Sequence, residues 1–234
     1  GNVGAYAIPM AEHVLAMALA LAKDLKGGNE KLKNGNFDQF RENRSIKNAN
    51  VAILGFGGIG KATARLFQAF GSKIFAINTS GRTDEAVDFI GTLADLKFVL
   101  SQADIIVISM ALSRSTRSLI GARELSWMKH DAILVNVARG EIIDQKAFYE
   151  FLKTHPDFRA GIDAWWVEPF RHGRFEMGFP FLDLPNVIGT PHNSGLVPGA
   201  MTDATRVAVT NLKKFAAGER IRGLFKKEDY VAET

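Results

Sequence analysis

The sequence predicts a doubly wound α/β fold, a parallel sheet with helices on both faces. Three observations point to it. From residue 51 onward, short apolar runs alternate with stretches of helical periodicity. The runs are continuously apolar rather than alternating, as strands buried on both sides require. The first run leads directly into a glycine-rich turn, Gly55-Phe56-Gly57-Gly58-Ile59-Gly60, that opens a helical pattern.

Taken in order, residues 7–26 predict a helix that is apolar on most faces and needs a large surface to bury against, with Gly27-Gly28-Asn29 as its stop. Residues 29–49 are polar, punctuated by Asn and Gly, and read as a connecting arm. Residues 51–54 form a strand, 59–70 a helix, 73–77 a second strand and 93–101 a helix. The β-branched run 105–109 and the run 132–137 are further strands, 145–153 is an amphipathic helix, and 160–163 and 187–189 are short strands. Residues 197–217 form a last long helix, and neither an internal repeat nor a low-complexity segment interrupts the series.

Composition narrows the functional classes. With 234 residues, 47% of them hydrophobic, the chain is long enough to bury a core without disulfide or metal staples. The absence of cysteine removes disulfides, thiolate metal sites and cysteine nucleophiles, and is compatible with a reducing compartment such as the cytoplasm. The net charge of +4 is scattered, with Lys213, Lys214, Lys226 and Lys227 the only local excess. These lysines read as a solvated face, and nucleic acid is not an expected partner. The early apolar run 14–22 is shorter than the roughly 20 residues a membrane span needs, and no basic segment precedes it as in a signal peptide. The chain opens on Gly1, as a trimmed or partial chain does. No HExxH or comparable spacing suggests a metal.

The glycine turn carries the first functional reading. Gly55 permits the tight turn, Gly57 lets backbone approach a pyrophosphate, and Gly60, with Ala64 one turn later, lets helix and strand pack closely. The helix N-terminus offers N–H groups and partial positive charge to phosphates. This is the dinucleotide fingerprint of the Rossmann arrangement. An acidic residue about 20 positions on would hold the ribose hydroxyls of NAD. The segment there reads Asn78-Thr79-Ser80-Gly81-Arg82-Thr83, and its first carboxylate is Asp84. Thr79, Ser80 and Arg82 suit a 2′-phosphate, so NADP is the preferred cofactor with NAD possible. Arg82 as a plain solvated loop residue is the other reading.

Three more segments follow strands and carry chemistry: Asn136-Val137-Ala138-Arg139-Gly140, Asp163-Ala164-Trp165-Trp166-Val167-Glu168-Pro169, and Thr190-Pro191-His192-Asn193-Ser194. In an open parallel sheet ligands sit at the carboxyl ends of the strands, so Arg139, Glu168 and His192 are expected to converge beside the dinucleotide.

With these motifs in place, the sequence resembles the D-isomer-specific 2-hydroxyacid dehydrogenase family over nearly its whole length. The likeness begins at Asn2-Val3-Gly4-Ala5 and Ala11-Glu12-His13 and runs through the glycine turn, Ala138-Arg139-Gly140, Glu168-Pro169 and Pro191-His192. It implies hydride transfer between NAD(P)H and a small 2-oxo or 2-hydroxy acid. His192 is then the acid/base, Glu168 the group that fixes and charges its ring, and Arg139 the carboxylate clamp. The implied cofactor contacts are Gly55, Gly57, Gly58, Ile59, Gly60, Thr79, Ser80, Arg82, Thr116, Val137, Asp163 and Ser194. Asp163 matches the family position at the nicotinamide carboxamide and Thr116 a family hydroxyl. Met110-Ala111-Leu112 departs from the pattern, with Ala where proline is usual. The resemblance divides the chain into an interdomain helix (1–28), a dinucleotide-binding domain (29–195) and a return helix with tail (196–234) belonging to a substrate lobe that this chain lacks. It also implies a homodimer built around helix 7–26.

Other readings stay beside this one. Members of the superfamily that act on formate carry Gln where Glu168 stands. A dinucleotide-sensing scaffold of the same fold can keep the same trio without turnover. His13 reads as a satisfied histidine of the first helix, and His130, His155 and His172 as surface residues. Trp165 and Trp166 either line the substrate pocket or pack in the core. Arg171 and Arg174 read as a solvated loop, and Tyr149 with Lys153 imitates the YxxxK pair of short-chain dehydrogenases on an amphipathic helix.

Overall fold

A computed structural model describes residues 4–221 and Gly223. The expectations placed on Asn2, Val3, Lys226 and Lys227 lie outside the described residues.

The centre is a seven-stranded parallel sheet in the order β3-β2-β1-β4-β5-β6-β7. Its strands are β1 (Asn50–Leu54), β2 (Lys73–Ile77), β3 (Phe89–Gly91), β4 (Ile105–Ile108), β5 (Ile133–Asn136), β6 (Arg159–Ile162) and β7 (Val187–Gly189). The helices are α1 (Ala7–Ala22), α2 (Leu25–Lys33), α3 (Gly58–Gln68), α4 (Leu96–Gln102), α5 (Ala122–Leu125), α6 (Gln145–Thr154), α7 (Pro169–His172) and α8 (Ala200–Ala216). The period-2 geometry of the strands splits their apolar residues between two cores. Val51, Ile53, Ile105, Val107, Ile133 and Val135 face α1 and α3, meeting Val14, Met17, Ala64 and Phe67. Ala52, Leu54, Ile106, Ile108 and Leu134 face the other way, under Leu96 and Leu100 of α4 and Phe148 and Leu152 of α6. Both faces of the sheet are therefore covered, which is why the strands are apolar throughout. Among the described residues no helix is long and apolar enough to cross a membrane.

Several elements differ from the sequence expectation, and the short helices α5 and α7 were not foreseen. The helix expected over 7–26 breaks at Asp24, which sits at φ 44° while its carboxylate accepts the Gly27 N–H and pairs with Arg41. The expected stop at Gly27-Gly28-Asn29 thus lies inside α2, which also crosses the expected boundary at residue 28. α1 buries Ala11, Val14, Met17, Ala18, Leu21 and Ala22 on α3, β5 and β6, while Ile8, Glu12 and Ala16 remain exposed. The segment 93–101 is a 3-10 turn followed by α4, because Thr92 caps the Ala94 N–H and Asp95 folds back onto the Thr92 N–H at 2.9 Å. β3 was not foreseen; its three residues are too few to show a pattern, and it pairs along the edge of β2. α8 starts at Ala200 rather than 197, after Gly199 at φ 86°.

The glycine turn binds the sheet to its first crossover helix. Gly55, at φ 105°, turns the chain out of β1. A Cβ on Gly60 would lie 2.3 Å from the Gly55 carbonyl oxygen and 3.0 Å from Ile53 Cγ2, so α3 sits directly on β1. Gly57 has nothing within 4 Å of the equivalent point. The Gly60→Val variant is therefore expected to lose about 1–3 kcal/mol of stability through overpacking, while Gly57→Ala loses less than about 1 kcal/mol. Denaturant titrations of the two variants against the parent check the difference.

Candidate active site

The sheet order reverses between β1 and β4, and the chain leaves these strands in opposite directions along the sheet, opening a crevice at their carboxyl ends. The Gly55–Gly60 turn lies on one side of it. Ser109, just beyond β4, donates its hydroxyl to the Gly55 carbonyl at 2.8 Å and fixes the two rims together. Gly57 stands at the N-cap of α3 with extended backbone and no side-chain cap. The first-turn N–H groups of α3 thus have no side-chain acceptor, and the space over Gly57 is open. These features fit a pyrophosphate.

The loop after β2 is organised by Asn78. Its Oδ1 accepts the N–H groups of Ser80 and Gly81 at 3.0 and 2.7 Å, and its Nδ2 donates to the Arg82 carbonyl at 2.8 Å. Arg82 is exposed on this pinned loop. Asp84, the first carboxylate after β2, is turned onto Lys61 of α3. The hydrogen bond from Lys61 is the leading cause holding the Asp84 carboxyl below its ordinary range.

On the other side of the crevice, the trio expected from sequence leaves three neighbouring strands, Arg139 after β5, Glu168 after β6 and His192 after β7. All three line one cleft of about 970 Å³ together with Tyr6, Trp165, Phe175 and Leu182. His192 Nδ1 lies 2.8 Å from both Glu168 carboxylate oxygens. A carboxylate only accepts, so Nδ1 carries the hydrogen and Nε2 is the ring's remaining position. Glu168 also accepts the Trp165 N–H at 2.7 Å. Burial alone pushes the Glu168 carboxyl upward, but the hydrogen bonds from His192 and Trp165 and the nearby Arg139 charge outweigh it and hold the group below the usual range. Arg139 is exposed, and Asn136 shapes its turn by donating to the Arg139 carbonyl at 2.9 Å and accepting the Ala138 N–H at 3.0 Å. Gly140 is obligatory there, since a Cβ would meet the Trp165 carbonyl carbon at 2.4 Å.

Other expected residues take more structural positions. Asp163 is fully buried beneath the 190–194 turn, accepting the Thr190 hydroxyl at 2.6 Å and the Asn193 and Ser194 N–H groups at 3.1 and 3.3 Å. Ser194 is buried and its hydroxyl has no partner. The Thr116 hydroxyl is engaged within its own loop, donating to the Ala111 carbonyl at 2.8 Å and accepting the Ser113 N–H at 2.7 Å. Val137 is buried and its N–H donates to the Ile108 carbonyl. Ile59 and Gly58 are half-buried in the first turn of α3.

Trp165 forms a wall of the cleft, edge-on to Phe175 at 5.6 Å, whereas Trp166 stacks on Phe181 in the core at 5.2 Å. Arg171 pairs with Glu141 at 2.6 Å and reaches the cleft, so it is more than a solvated loop residue; Arg174 is a surface residue paired with Glu176. His172 is exposed, yet its Nδ1 accepts the Glu168 N–H at 3.0 Å. Tyr149 stacks on Phe179 and serves packing. Several residues around the site escaped the sequence reading, Tyr6, Phe175 and Leu182 in the cleft lining among them, and so did the meeting of the His13 and Thr190 side chains at 3.0 Å. The only signal was that His13 lies in a motif of the family resemblance and Thr190 stands two residues before His192.

Residues 15–194 match the family model described as D-isomer specific 2-hydroxyacid dehydrogenase, NAD binding domain. The chain belongs to this family. It is 30% identical over 226 residues to a glycerate dehydrogenase of Methylorubrum extorquens, covering 93% of this chain and 68% of that protein. Among solved structures it is similar to a candidate formate dehydrogenase of Pyrobaculum aerophilum, with a TM-score of 0.86, 31% identity, and coverage of 99% of this chain and 75% of that one. It is also similar to a D-isomer specific 2-hydroxyacid dehydrogenase of Xanthobacter autotrophicus Py2 in complex with NADPH and MES, with a TM-score of 0.79, 26% identity, and coverage of 94% and 88%. The chain spans 40%, 68% and 60% of the length of three curated relatives.

The lowered Glu168 carboxyl has a consequence for stability. A carboxyl whose native value lies below its unfolded value stabilises the fold fully above the unfolded value, about 4.3 for glutamate, and loses that contribution as pH falls through the native one. Stability of the parent is therefore expected to fall on acidification below about pH 4.3 more steeply than that of Glu168→Gln. Denaturant midpoints of both proteins between pH 7 and 3 measure it. Parallel curves would remove Glu168 as a contributor.

Proposed function

We propose that the protein of which this chain is part reduces small 2-oxo acids to D-2-hydroxy acids with NADPH. The observation that carries this is the Glu168–His192 pair facing Arg139 in one cleft beside a glycine turn fit for a dinucleotide. Reduced NAD(P), when bound, supplies a hydride to the 2-oxo carbon. Arg139 holds the substrate carboxylate, a planar group matched to its fork. His192 Nε2 points its proton at the oxygen of the 2-oxo group and gives it up as alkoxide charge develops. Glu168, kept ionised by its donors, favours the imidazolium before transfer and orients the ring throughout. In the reverse direction the same nitrogen accepts the proton. The buried, unpartnered Ser194 hydroxyl and the second oxygen of Asp163, which the turn engages only once, are the polar capacity available to the carboxamide end of the cofactor. Thr116 and Val137 shape the rim around it.

Glu168 also bears on the choice within the family. An ionised carboxylate on Nδ1 supports proton transfer to a developing alkoxide, which formate oxidation does not need. We therefore favour the 2-oxo acid over formate. For cofactor choice, the Asn78-pinned loop presents Arg82 with Thr79 and Ser80, while Lys61 holds Asp84. That arrangement favours a 2′-phosphate by attraction and removes the nearest carboxylate that would repel it. For assembly, we infer a two-fold dimer about the exposed stripe of α1, with Ile8 60% exposed, and a further lobe over α8, where Leu212 and Phe215 are exposed. The lack of cysteine suits a cytoplasmic setting.

Two measurements test the reading. The whole protein is expected to oxidise NADPH with glyoxylate or hydroxypyruvate, and His192→Ala to lose at least about a hundredfold in kcat. Nucleotide binding without turnover on any small 2-oxo acid would instead favour a sensing scaffold. Paired titrations at fixed ionic strength are expected to show NADPH binding at least several-fold tighter than NADH, with Arg82→Ala removing most of the difference. Equal affinities in the parent, or an unchanged ratio in the variant, would assign Arg82 to solvent.

A further inference from the structure

We infer that His13 and Thr190 are positioning residues that hold the His192 imidazole against Glu168; the inference rests on the reading of His192 as the proton donor. The chain of contacts is specific in direction. Thr190 lies 2.6 Å from Asp163 Oδ1 and His13 Nε2 lies 3.0 Å from the Thr190 hydroxyl. A hydroxyl has one hydrogen, and Asp163 as a carboxylate can only accept it. The Thr190 oxygen then faces His13 with lone pairs, so His13 Nε2 donates. His13 Nε2 is also 3.8 Å from Asp163 Oδ1, which places imidazole N–H polarity toward the buried carboxylate.

This chain ends on the turn that carries His192. Asp163 takes the N–H groups of Asn193 and Ser194, the two residues after His192, and Thr190 stands two residues before it. His192 itself sits at φ 51°, a left-handed conformation unfavourable for a side chain bearing a Cβ. Such a conformation persists only where the surroundings over-determine it. Three elements supply that constraint at one point: α1 through His13, β6 through Asp163 at its end, and β7 through Thr190. Asp163 is fully buried, so its charge needs every donor it has, and His13 stabilises the Thr190 link from outside. Removing the Thr190 hydroxyl leaves Asp163 with only the two backbone N–H groups of the turn, and removing His13 leaves the Thr190–Asp163 bond without its outer donor, while the Thr190 backbone stays tied to Ile162 and to the Trp165 indole. The imidazole is then held less firmly in its line with Glu168, and fewer molecules present a protonated Nε2 to substrate.

The test uses full-length protein and four variants. His13→Leu and Thr190→Val remove the donor and the bridging hydroxyl; His13→Gln and Thr190→Ser keep them. The first two are expected to lose about tenfold in kcat for 2-oxo acid reduction, with the KM for nucleotide within about twofold. The alkaline limb of their kcat profile is expected to move to lower pH by about half a unit, as the imidazolium loses Glu168. His13→Gln and Thr190→Ser should restore most of both. In nucleotide-free protein, an NMR titration of the His192 ring should show the same downward displacement in the first pair. Unchanged kcat and pH limb in His13→Leu and Thr190→Val overturn the inference, and so does a loss that the conservative variants fail to restore. His192→Ala separates the two claims. Retained turnover removes its role as donor and the inference with it; lost turnover with His13→Leu and Thr190→Val at parental kcat and pH limb removes the inference alone.

Discussion

Every strand of the sheet runs parallel, and the rest of the molecule depends on that constraint. Each crossover must return the chain to the same edge, so all carboxyl ends gather on one rim. A parallel sheet must also be covered on both faces, and the helices that do so put their N-termini near that rim. The glycine turn, the Asn78 loop, and the turns bearing Arg139, Glu168 and His192 therefore meet without any long-range instruction beyond the hydrophobic pattern. The order β5-β6-β7 places the three chemical groups on adjacent strands, and the reversal beside β1 leaves the crevice for a dinucleotide next to them.

What was legible in the sequence follows from this. Strands buried on both faces announce themselves as apolar runs, and strand ends can be counted from them, so the Gly55 turn and the trio could be placed before any contact was known. Contacts made across the fold could not. Asp24 breaks the first helix because its carboxylate finds Gly27 and Arg41, and no periodicity reports that. β3 exists because β2 offers an open edge, a property of the sheet rather than of Phe89-Ile90-Gly91. His13 and Thr190 lie 177 residues apart and meet only because α1 crosses the sheet above β6 and β7. Asp163 was expected at a strand end from the sequence, but its burial was not, since a carboxylate at a strand end usually faces solvent.

The site keeps two charges of different kind. Glu168 and Asp163 both sit inside, and each is tolerated because its oxygens are used. Their tasks diverge through their donors. Asp163 takes a hydroxyl and two N–H groups, all neutral, and so serves as an anchor for backbone. Glu168 takes one backbone N–H and the imidazole, the one donor among them that can carry charge, and so holds a ring rather than backbone.

The walls of the cleft extend the same division. Trp165 gives its ring to the cavity, its indole N–H to the Thr190 carbonyl at 2.8 Å and its backbone N–H to Glu168, so one residue joins the apolar wall to the Glu168–His192 pair. Gly140 lets the Arg139 turn close against the backbone of Trp165 and Trp166. Arg139, the His192 ring and the Trp165 wall are thereby referenced to one short segment, 163–168, that leaves β6. Asp163 at its start fixes the turn beneath His192, and Glu168 at its end fixes the imidazole. A shift of this segment would move Trp165, Glu168 and the Arg139 turn together, whereas a shift of the 190–194 turn alone would separate His192 from them. The donors converging on Asp163 are concentrated on that second, more damaging displacement.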